Sequence, residues 1–255
     1  MTLAPMPTPP IQTQWLQLPQ NDLTIAAYLA EPSAPGQDPG QYPGVVVIQE
    51  IFGVNSHIRS VAERLAQSGY VAIAPAIYQR TAPGFEVGYT EADIVEGRKH
   101  KVLTTAPQLL ADIQSAIAQL QARPNVKPGG VGTIGFCFGG HVAYLAATLP
   151  NVKATASFYG AGIAVMTPGG GEPTLNRTAE IHGAIDCFFG NEDPLIPPEQ
   201  VEQIAAALKA HQIDHRIFCY DGAGHGFCCD QRADYRATAA QDAWQKMLER
   251  FGDRL

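Results

Sequence analysis

The stretch Gly-Phe-Cys-Phe-Gly-Gly at residues 135–140 decides the fold of this chain. It directly follows an apolar run at residues 131–134, which is typical of a buried strand. It directly precedes a helix-like run at residues 141–149. Flanking glycines allow a strand to turn sharply into a helix, and such a turn holds its central residue exposed in a strained conformation. We therefore expect Cys137 at the tip of a strand-to-helix turn.

This geometry is that of the nucleophile elbow in α/β-hydrolases, where the central residue is normally serine. A thiol attacks a carbonyl only as thiolate, and free cysteine has a pKa of about 8.5. Cys137 therefore needs a base or a positive dipole nearby. The helix that begins after Cys137 supplies the dipole, and the base should be a histidine that a carboxylate orients.

The rest of the chain alternates strands and helices. Apolar strand runs at 45–48, 70–74, 131–135, 154–159, 184–189 and 216–220 are separated mostly by helical patterns at 58–68, 110–120, 141–149 and 199–210, and a last helix covers 235–251. This alternation predicts an α/β-hydrolase fold, with a mostly parallel, doubly wound sheet flanked by helices. We expect residues 1–20 to form an N-terminal tail and residues 21–255 to form a single domain, in which residues 23–29 are an edge strand.

The partners of the thiol follow it in the order that α/β-hydrolases use, first the acid and then the histidine. The segment 188–194 places Glu192 and Asp193 in the loop after a predicted strand. The segment 222–227 places His225 in a glycine-rich loop after the last predicted strand. Both groups thus lie at carboxyl ends of strands, where open α/β sheets collect their ligands.

A further acid, Glu50, ends the buried strand run at 45–48, where a solvated carboxylate is not expected. It is either an acid in the first turn of the next helix or an acid beside the thiol that accepts the thiol proton or keeps the thiol neutral. The same loop matches the position from which the fold supplies an oxyanion-hole N–H. Ile51 and Phe138 are therefore the expected backbone donors.

Composition excludes several classes of function. The chain has 255 residues and a net charge of -7, which argues against nucleic-acid and anionic-membrane partners. It contains no apolar run of membrane-spanning length, and residues 1–10 are not typical of a secretory signal. Its five cysteines suit a reducing cytoplasm, and their spacing indicates no metal site. We expect a cytoplasmic monomer or small homo-oligomer.

Four ordered motifs resemble those of the dienelactone hydrolase, or carboxymethylenebutenolidase, family. They are Gln-Glu-Ile-Phe-Gly-Val-Asn at 49–55, the elbow at 135–140, Gly-x-x-Asp at 190–193 and Gly-His-Gly-Phe at 224–227. The resemblance runs from about residue 20 to the C-terminus and implies hydrolysis of a carboxylate-bearing enol-lactone from catechol breakdown, without a cofactor.

The resemblance also implies roles for individual residues. Cys137 would attack the lactone, with His225 and Asp193 completing its triad, and Glu50 would draw off the thiol proton when substrate binds. A segment at 78–84 resembles a further family motif, in which Arg80 would bind the substrate carboxylate. We also expect Tyr159, at the end of a predicted strand, to contact substrate.

The chain departs from the family at the position of a second carboxylate-binding arginine, which here is Cys229. Arg232 is the candidate replacement, and the long segment 162–182 is either a lid or an insertion at the pocket rim. These departures leave open a broader carboxylesterase or lactonase. Two roles outside ester hydrolysis also stay open: a non-catalytic binding module, and a redox function of Cys137 that uses the adjacent thiols of Cys228 and Cys229.

Overall fold

The computed structural model describes residues 10–20, 23–33 and 41–255. Its strands are β1 (Ile11–Gln20), β2 (Leu23–Pro32), β3 (Gly44–Ile48), β4 (Val71–Pro75), β5 (Val131–Phe136), β6 (Val152–Phe158), β7 (Ala184–Gly190) and β8 (His215–Tyr220). Its helices are α1 (Ser56–Gln67), α2 (Glu91–Lys101), α3 (Ala106–Gln121), α4 (Phe138–Ala146), α5 (Pro198–Ala210) and α6 (Ala237–Arg254), with a 3-10 helix at Thr174–Glu180.

The strands form one sheet of eight in the order β1-β2-β4-β3-β5-β6-β7-β8. The pairs β1–β2 and β2–β4 are antiparallel, and the pairs from β4 to β8 are parallel. Helices cover both faces: α1 and α6 contribute to one apolar cluster, and α3 contributes to the other. Strands β3, β4 and β5 are buried along their whole length, which explains their continuous apolar sequences. The predicted fold class is confirmed.

The predicted tail is wrong over residues 11–20, which form β1, while residues 1–9 lie outside the described part of the chain. β1 pairs with β2 because apolar side chains of the two strands pack against each other. Leu18 is buried opposite Ile25, and the Trp15 ring contacts Tyr28 edge-on at 5.4 Å. β2 is therefore the second strand of the sheet, not the edge strand that its sequence suggested.

Helix α2 was not predicted, because it has no apolar stripe to reveal it. Six of the eleven residues in Glu91–Lys101 are Asp, Glu, Arg or Lys, and only Gly97 is buried. Its start is fixed locally instead: the Thr90 side chain accepts from Asp93 N, and the Asp93 carboxylate accepts from Thr90 N. A polar helix with a strong cap of this kind is placed by its contacts with a neighbouring loop and not by core packing.

The segment 162–182 is attached to α4. Thr174 Oγ1 lies 2.7 Å from His141 Nε2, and the hydroxyls of Thr178 and Tyr144 lie 2.7 Å apart. Ala161 O also lies 3.2 Å from His141 Nδ1, so both ring nitrogens of His141 have partners. The segment is therefore hydrogen-bonded to the helix that follows Cys137. Within the described ranges, none of the helices is both long and apolar enough to cross a lipid bilayer.

The burial of His141 predicts a loss of stability in acid. Burial lowers the pKa of His141 to about 4, so the unfolded chain binds the proton first as pH falls. Between roughly pH 6.5 and 4 this residue should therefore remove on the order of 3 kcal/mol from the free energy of unfolding. Urea unfolding from pH 7 to 4.5 should show a shallower decline in His141→Asn than in wild type. The exposed His211, changed to Asn, should keep the wild-type slope; equal slopes in all three proteins would contradict the assignment.

Candidate active site

Cys137 lies between β5 and α4 in the predicted strand-to-helix turn. Its φ of 56° and ψ of -118° place it in a region that L-residues rarely adopt. Glycines allow the close approach of the two elements: a Cβ on Gly135 would lie 1.9 Å from Gly139 O, and one on Gly139 would lie 2.3 Å from Ile48 O. Cys137 N donates to Phe158 O at 3.0 Å, which fixes the turn to β6.

His225 and Asp193 form a buried pair, with Nδ1 of the imidazole 2.7 Å from Oδ2 of the carboxylate. Asp193 is held in turn by the N–H of Leu195, which donates to Oδ1 at 2.8 Å. The neighbouring Glu192 is exposed, and its carboxylate makes no hydrogen bond to a histidine among the described residues. In the part of the chain that the structure describes, His225 Nε2 has no hydrogen-bond partner, so this nitrogen is available for proton transfer.

The protonation of His225 depends on its neighbours. Burial alone would lower its pKa, but a negative charge on the adjacent Cys137 and the hydrogen-bonded Asp193 carboxylate raise the pKa of His225 to about 10. The Cys137 sulfur thus lies beside the imidazole, close enough for its charge to affect the protonation of the ring. A thiolate at Cys137 would be accompanied by an imidazolium at His225, which is the form that can donate a proton to a leaving group.

Glu50 is completely buried in the loop between β3 and α1. It precedes Ser56, the first residue of α1, by a whole loop, so the interpretation as an acid in the first helical turn is wrong. Tyr89 OH donates to Glu50 Oε2 at 3.0 Å, and Asn55 Nδ2 donates to the same tyrosine oxygen at 3.1 Å. The guanidinium of Arg232 lies 3.8 Å from Oε1, which makes no hydrogen bond within the described residues. One oxygen of the carboxylate is therefore oriented and the other is free.

A pocket of about 240 Å³ opens beside Cys137. It is lined by Ile51, Phe52, Ile94, Arg98, Lys101, Cys137, Phe138, Ala161, Gly162, Leu195, His225 and Arg232. Both residues that were expected to form the oxyanion hole, Ile51 and Phe138, are thus in the same pocket as the thiol. Phe138 is the first residue of α4, so its N–H has no acceptor within the helix.

Two cationic residues of the pocket, Arg98 and Lys101, were missed by the sequence analysis. They lie three positions apart on α2, on one side of the helix. Their placement depends on Gly97, since a Cβ there would lie 2.4 Å from Ile51 O. The close approach of α2 to the Glu50 loop thus brings both cations to the pocket. The available signal was the Thr90–Asp93 capping box, which marks a helix start that hydrophobic periodicity does not reveal.

The structure does not bring Arg80 to this pocket. Its guanidinium is paired with the carboxylate of Asp112, which is completely buried in α3, and Arg80 is absent from the residues that line the pocket. Tyr159 is also away from the lining and is completely buried, with a φ of 38°. Its ring contacts the His225 imidazole edge-on at 5.3 Å. Arg80 thus lies in an ion pair and Tyr159 beside the imidazole, whereas Arg232 lines the pocket.

The sheet order, the elbow and the buried histidine–aspartate pair define an α/β-hydrolase. The sequence profile of the dienelactone hydrolase family matches residues 25–255, and the chain belongs to that family. It is therefore a hydrolase that acts on ester bonds.

Individual relatives agree over almost their whole length. A Synechocystis protein provisionally named carboxymethylenebutenolidase is 58% identical over 241 residues, which cover 94% of this chain and 96% of the relative. The crystal structure of a protein from Klebsiella pneumoniae, provisionally identified as a dienelactone hydrolase, is 31% identical with a TM-score of 0.84, and the match covers 95% of this chain and 99% of that one. A dienelactone hydrolase-like promiscuous phosphotriesterase from metagenomic libraries shares the fold, with a TM-score of 0.77 at 22% identity, over 96% of this chain and 98% of that one.

Proposed function

We propose that this protein hydrolyses a carboxylate-bearing enol-lactone with Cys137 as nucleophile, His225 and Asp193 as the other triad members, and Glu50 as the group that activates the thiol. The observation that carries the proposal is the common pocket of Cys137 and His225, beside the buried carboxylate of Glu50 and its cationic neighbour Arg232. A triad alone would be suited to the hydrolysis of any ester that fits the pocket. A buried acid whose neighbouring cation, Arg232, lines the nucleophile's pocket suits activation by an anionic substrate.

The proposed reaction starts when the substrate carboxylate binds Arg232 and draws the guanidinium away from Glu50. The carboxylate of Glu50 then accepts the Cys137 proton, and the thiolate attacks the lactone carbonyl. The N–H groups of Ile51 and Phe138 donate to the oxyanion. Collapse of the tetrahedral intermediate breaks the ring C–O bond, leaves a thioester on Cys137, and releases an enolate oxygen that takes up the proton that Glu50 accepted from the thiol. Water then hydrolyses the thioester with His225 as base.

Substrate recognition is proposed for the cations of the pocket, namely Arg98, Lys101 and Arg232. The apolar side chains of the lining would contact the unsaturated ring. The role predicted for Arg80 stays a prediction, but its ion pair with buried Asp112 favours a structural contribution. Tyr159 is proposed to act on the reaction through its contact with the His225 ring. A reducing compartment such as the cytoplasm suits a reaction that needs a free thiol, and all five cysteines are free.

Substitution of the pocket cations tests this assignment. We expect Arg98→Ala and Lys101→Ala each to raise KM for the lactone acid about tenfold and to leave KM for its neutral methyl ester nearly unchanged, because each removes an attraction to the carboxylate. Arg80→Ala should instead lower the free energy of unfolding, since it leaves Asp112 buried without its cation. Steady-state kinetics with both substrates and urea unfolding separate these outcomes. A selective rise in KM for the acid in Arg80→Ala alone would instead support carboxylate binding by Arg80.

The second candidate function is a broader carboxylesterase or lactonase. It is favoured by the presence of Cys229 where the family carries a second carboxylate-binding arginine, and by the apolar side chains of Ile51, Phe52, Phe138 and Leu195 in the pocket. The catalytic steps would be the same, but the acid and its methyl ester would then be hydrolysed with similar kcat/KM.

A further inference from the structure

A thiol, an imidazole and a carboxylate meet at one point beside the pocket. One donor atom each from Cys229, His57 and Glu50 lies within 4.8 Å of the other two. All three residues are buried. They come from separate parts of the chain: the loop after β3, the first turn of α1 and the loop that follows His225. The fold therefore assembles this cluster, which no local sequence spacing reveals.

We propose that Cys229, His57 and Glu50 bind a Zn²⁺ ion, and that the bound ion inhibits the enzyme by withdrawing Glu50 from thiol activation. The binding part of this proposal is independent of the catalytic mechanism. The inhibitory part rests on the proposed role of Glu50. Neither follows from the sequence expectation, which was that the cysteine spacing indicates no metal site.

The donor set suits zinc. Zn²⁺ binds cysteine sulfur, histidine nitrogen and carboxylate oxygen at about 2.0–2.3 Å, so tetrahedral ligands lie roughly 3.3–3.8 Å from one another. Donors that are within 4.8 Å of each other would need to move inward by about 1 Å or less. Mg²⁺ and Ca²⁺ prefer oxygen ligands throughout, so a mixed sulfur, nitrogen and oxygen set selects against them. Three protein ligands leave the fourth position of the metal open to water.

Two of the donor residues carry buried atoms with no partner. Glu50 Oε1 and His57 Nε2 make no hydrogen bond among the residues that the structure describes. Glu50 is completely buried and His57 is 4% exposed, and buried polar atoms are almost always paired in folded proteins. Two such atoms on residues of one small cluster indicate a missing partner that accepts lone pairs. A metal ion is such a partner, because one ion can accept lone pairs from both of these residues and from the Cys229 sulfur at once.

Arg232 is the group that would compete with the ion for the Glu50 carboxylate. Its guanidinium lies 3.8 Å from Glu50 Oε1, beyond hydrogen-bond distance, and its side chain is 15% exposed at the pocket. Zinc and Arg232 would therefore compete for one carboxylate oxygen, while Tyr89 retains the other. Arg232 both lines the pocket and lies next to Glu50, so its displacement would also give the ion a path inward. On binding, the Cys229 thiol loses its proton to solvent as the Zn–S bond forms, and His57 coordinates through a nitrogen lone pair.

The test uses the full-length Cys137→Ala protein, so that the triad thiol cannot supply a ligand. Titration with Co²⁺, a spectroscopic substitute for zinc, should give one bound ion per chain with a thiolate-to-cobalt charge-transfer band, and Zn²⁺ should displace it. The additional change Cys229→Ala should abolish the band. The additional change Cys228→Ala, at the adjacent cysteine, should retain it. His57→Gln should raise the Kd at least tenfold while the band persists in the metal-saturated protein.

Two results would overturn the site. One is that the Cys137→Ala protein binds no metal, because any metal bound by the wild type would then sit at the triad. The other is that the cobalt band and the Kd stay unchanged after Cys229→Ala. Circular dichroism of each variant separates loss of ligands from loss of fold, and His57→Gln provides an independent ligand variant if Cys229→Ala does not fold. In the enzyme with Cys137 intact, Zn²⁺ should inhibit turnover, and a chelator should restore the activity. The inhibition should be at least tenfold weaker in His57→Gln. Binding without inhibition would retain the site and refute the role of Glu50.

Discussion

Cys137→Ala is expected to lower kcat/KM for the lactone by at least about 10⁴-fold, because no other group in the pocket can form the thioester. His225 is buried with its free nitrogen beside the missing sulfur, so it could still deprotonate a water molecule. That residual reaction limits how far kcat/KM can fall. Stopped assays over hours with purified variant and wild type measure it.

The matched control is Cys219→Ala, which removes an exposed thiol on β8, far along the sheet from the elbow in strand order. It should keep wild-type kcat/KM. Unfolding by urea should give similar midpoints for Cys137→Ala and wild type, since alanine keeps the backbone conformation of residue 137 and the substitution removes only one half-buried sulfur atom. Undiminished activity of Cys137→Ala in a folded protein would refute the nucleophile.

Glu50→Gln is expected to lower kcat about 10²- to 10⁴-fold, the range that general bases contribute. The amide keeps the shape of the side chain and can still accept from Tyr89, but it cannot take the thiol proton. Single-turnover experiments should show that the loss lies in formation of the thioester and not in its hydrolysis. This distinguishes an activating carboxylate from one that only shapes the pocket.

The matched control for this variant is Glu192→Gln, an exposed acid in the loop that carries Asp193. It should leave both kcat and KM within about twofold of wild type. The rate at which iodoacetamide modifies Cys137 in the resting enzyme gives a second readout. Thiol reactivity and turnover that both stay unchanged in Glu50→Gln would refute the activating role.

The placement of Cys137, His225 and Asp193 near one another was predictable because local sequence encodes the turns that carry them. Gly135 is required by its contact with Gly139 O within the turn, whereas Gly139 and Gly140 are required by close contacts with the backbone of β3 and β6. His225 and Asp193 follow strands whose apolar runs are unambiguous. A parallel sheet then brings the three loops to one edge, so their order along the chain is enough to place them together. The same argument placed Glu50 correctly at the end of β3.

The pocket beside Cys137 was less predictable, because two of its cations come from a polar helix. Helix α2 has no apolar stripe, and its position depends on the contact of Gly97 with Ile51 O. Arg80 was assigned by family resemblance, but its partner, Asp112, is a buried acid on α3 that no periodicity connects to it. The strand β1 was missed for a related reason: its buried face is short, and four of its residues in Gln12–Trp15 are exposed. Long-range polar pairs and weakly apolar elements are set by tertiary contacts, which composition and spacing do not specify.

The most direct test of the proposed function is the ratio of kcat/KM for a dienelactone carboxylic acid to that for its methyl ester, measured with the unaltered enzyme. The two substrates share the ring and the scissile bond and differ only in the negative charge. If the substrate carboxylate releases Glu50 from Arg232, the acid should be favoured at least about 100-fold, with much of the difference in kcat. Equal values, or a preference for the methyl ester, would contradict activation by the substrate carboxylate and favour the broader esterase.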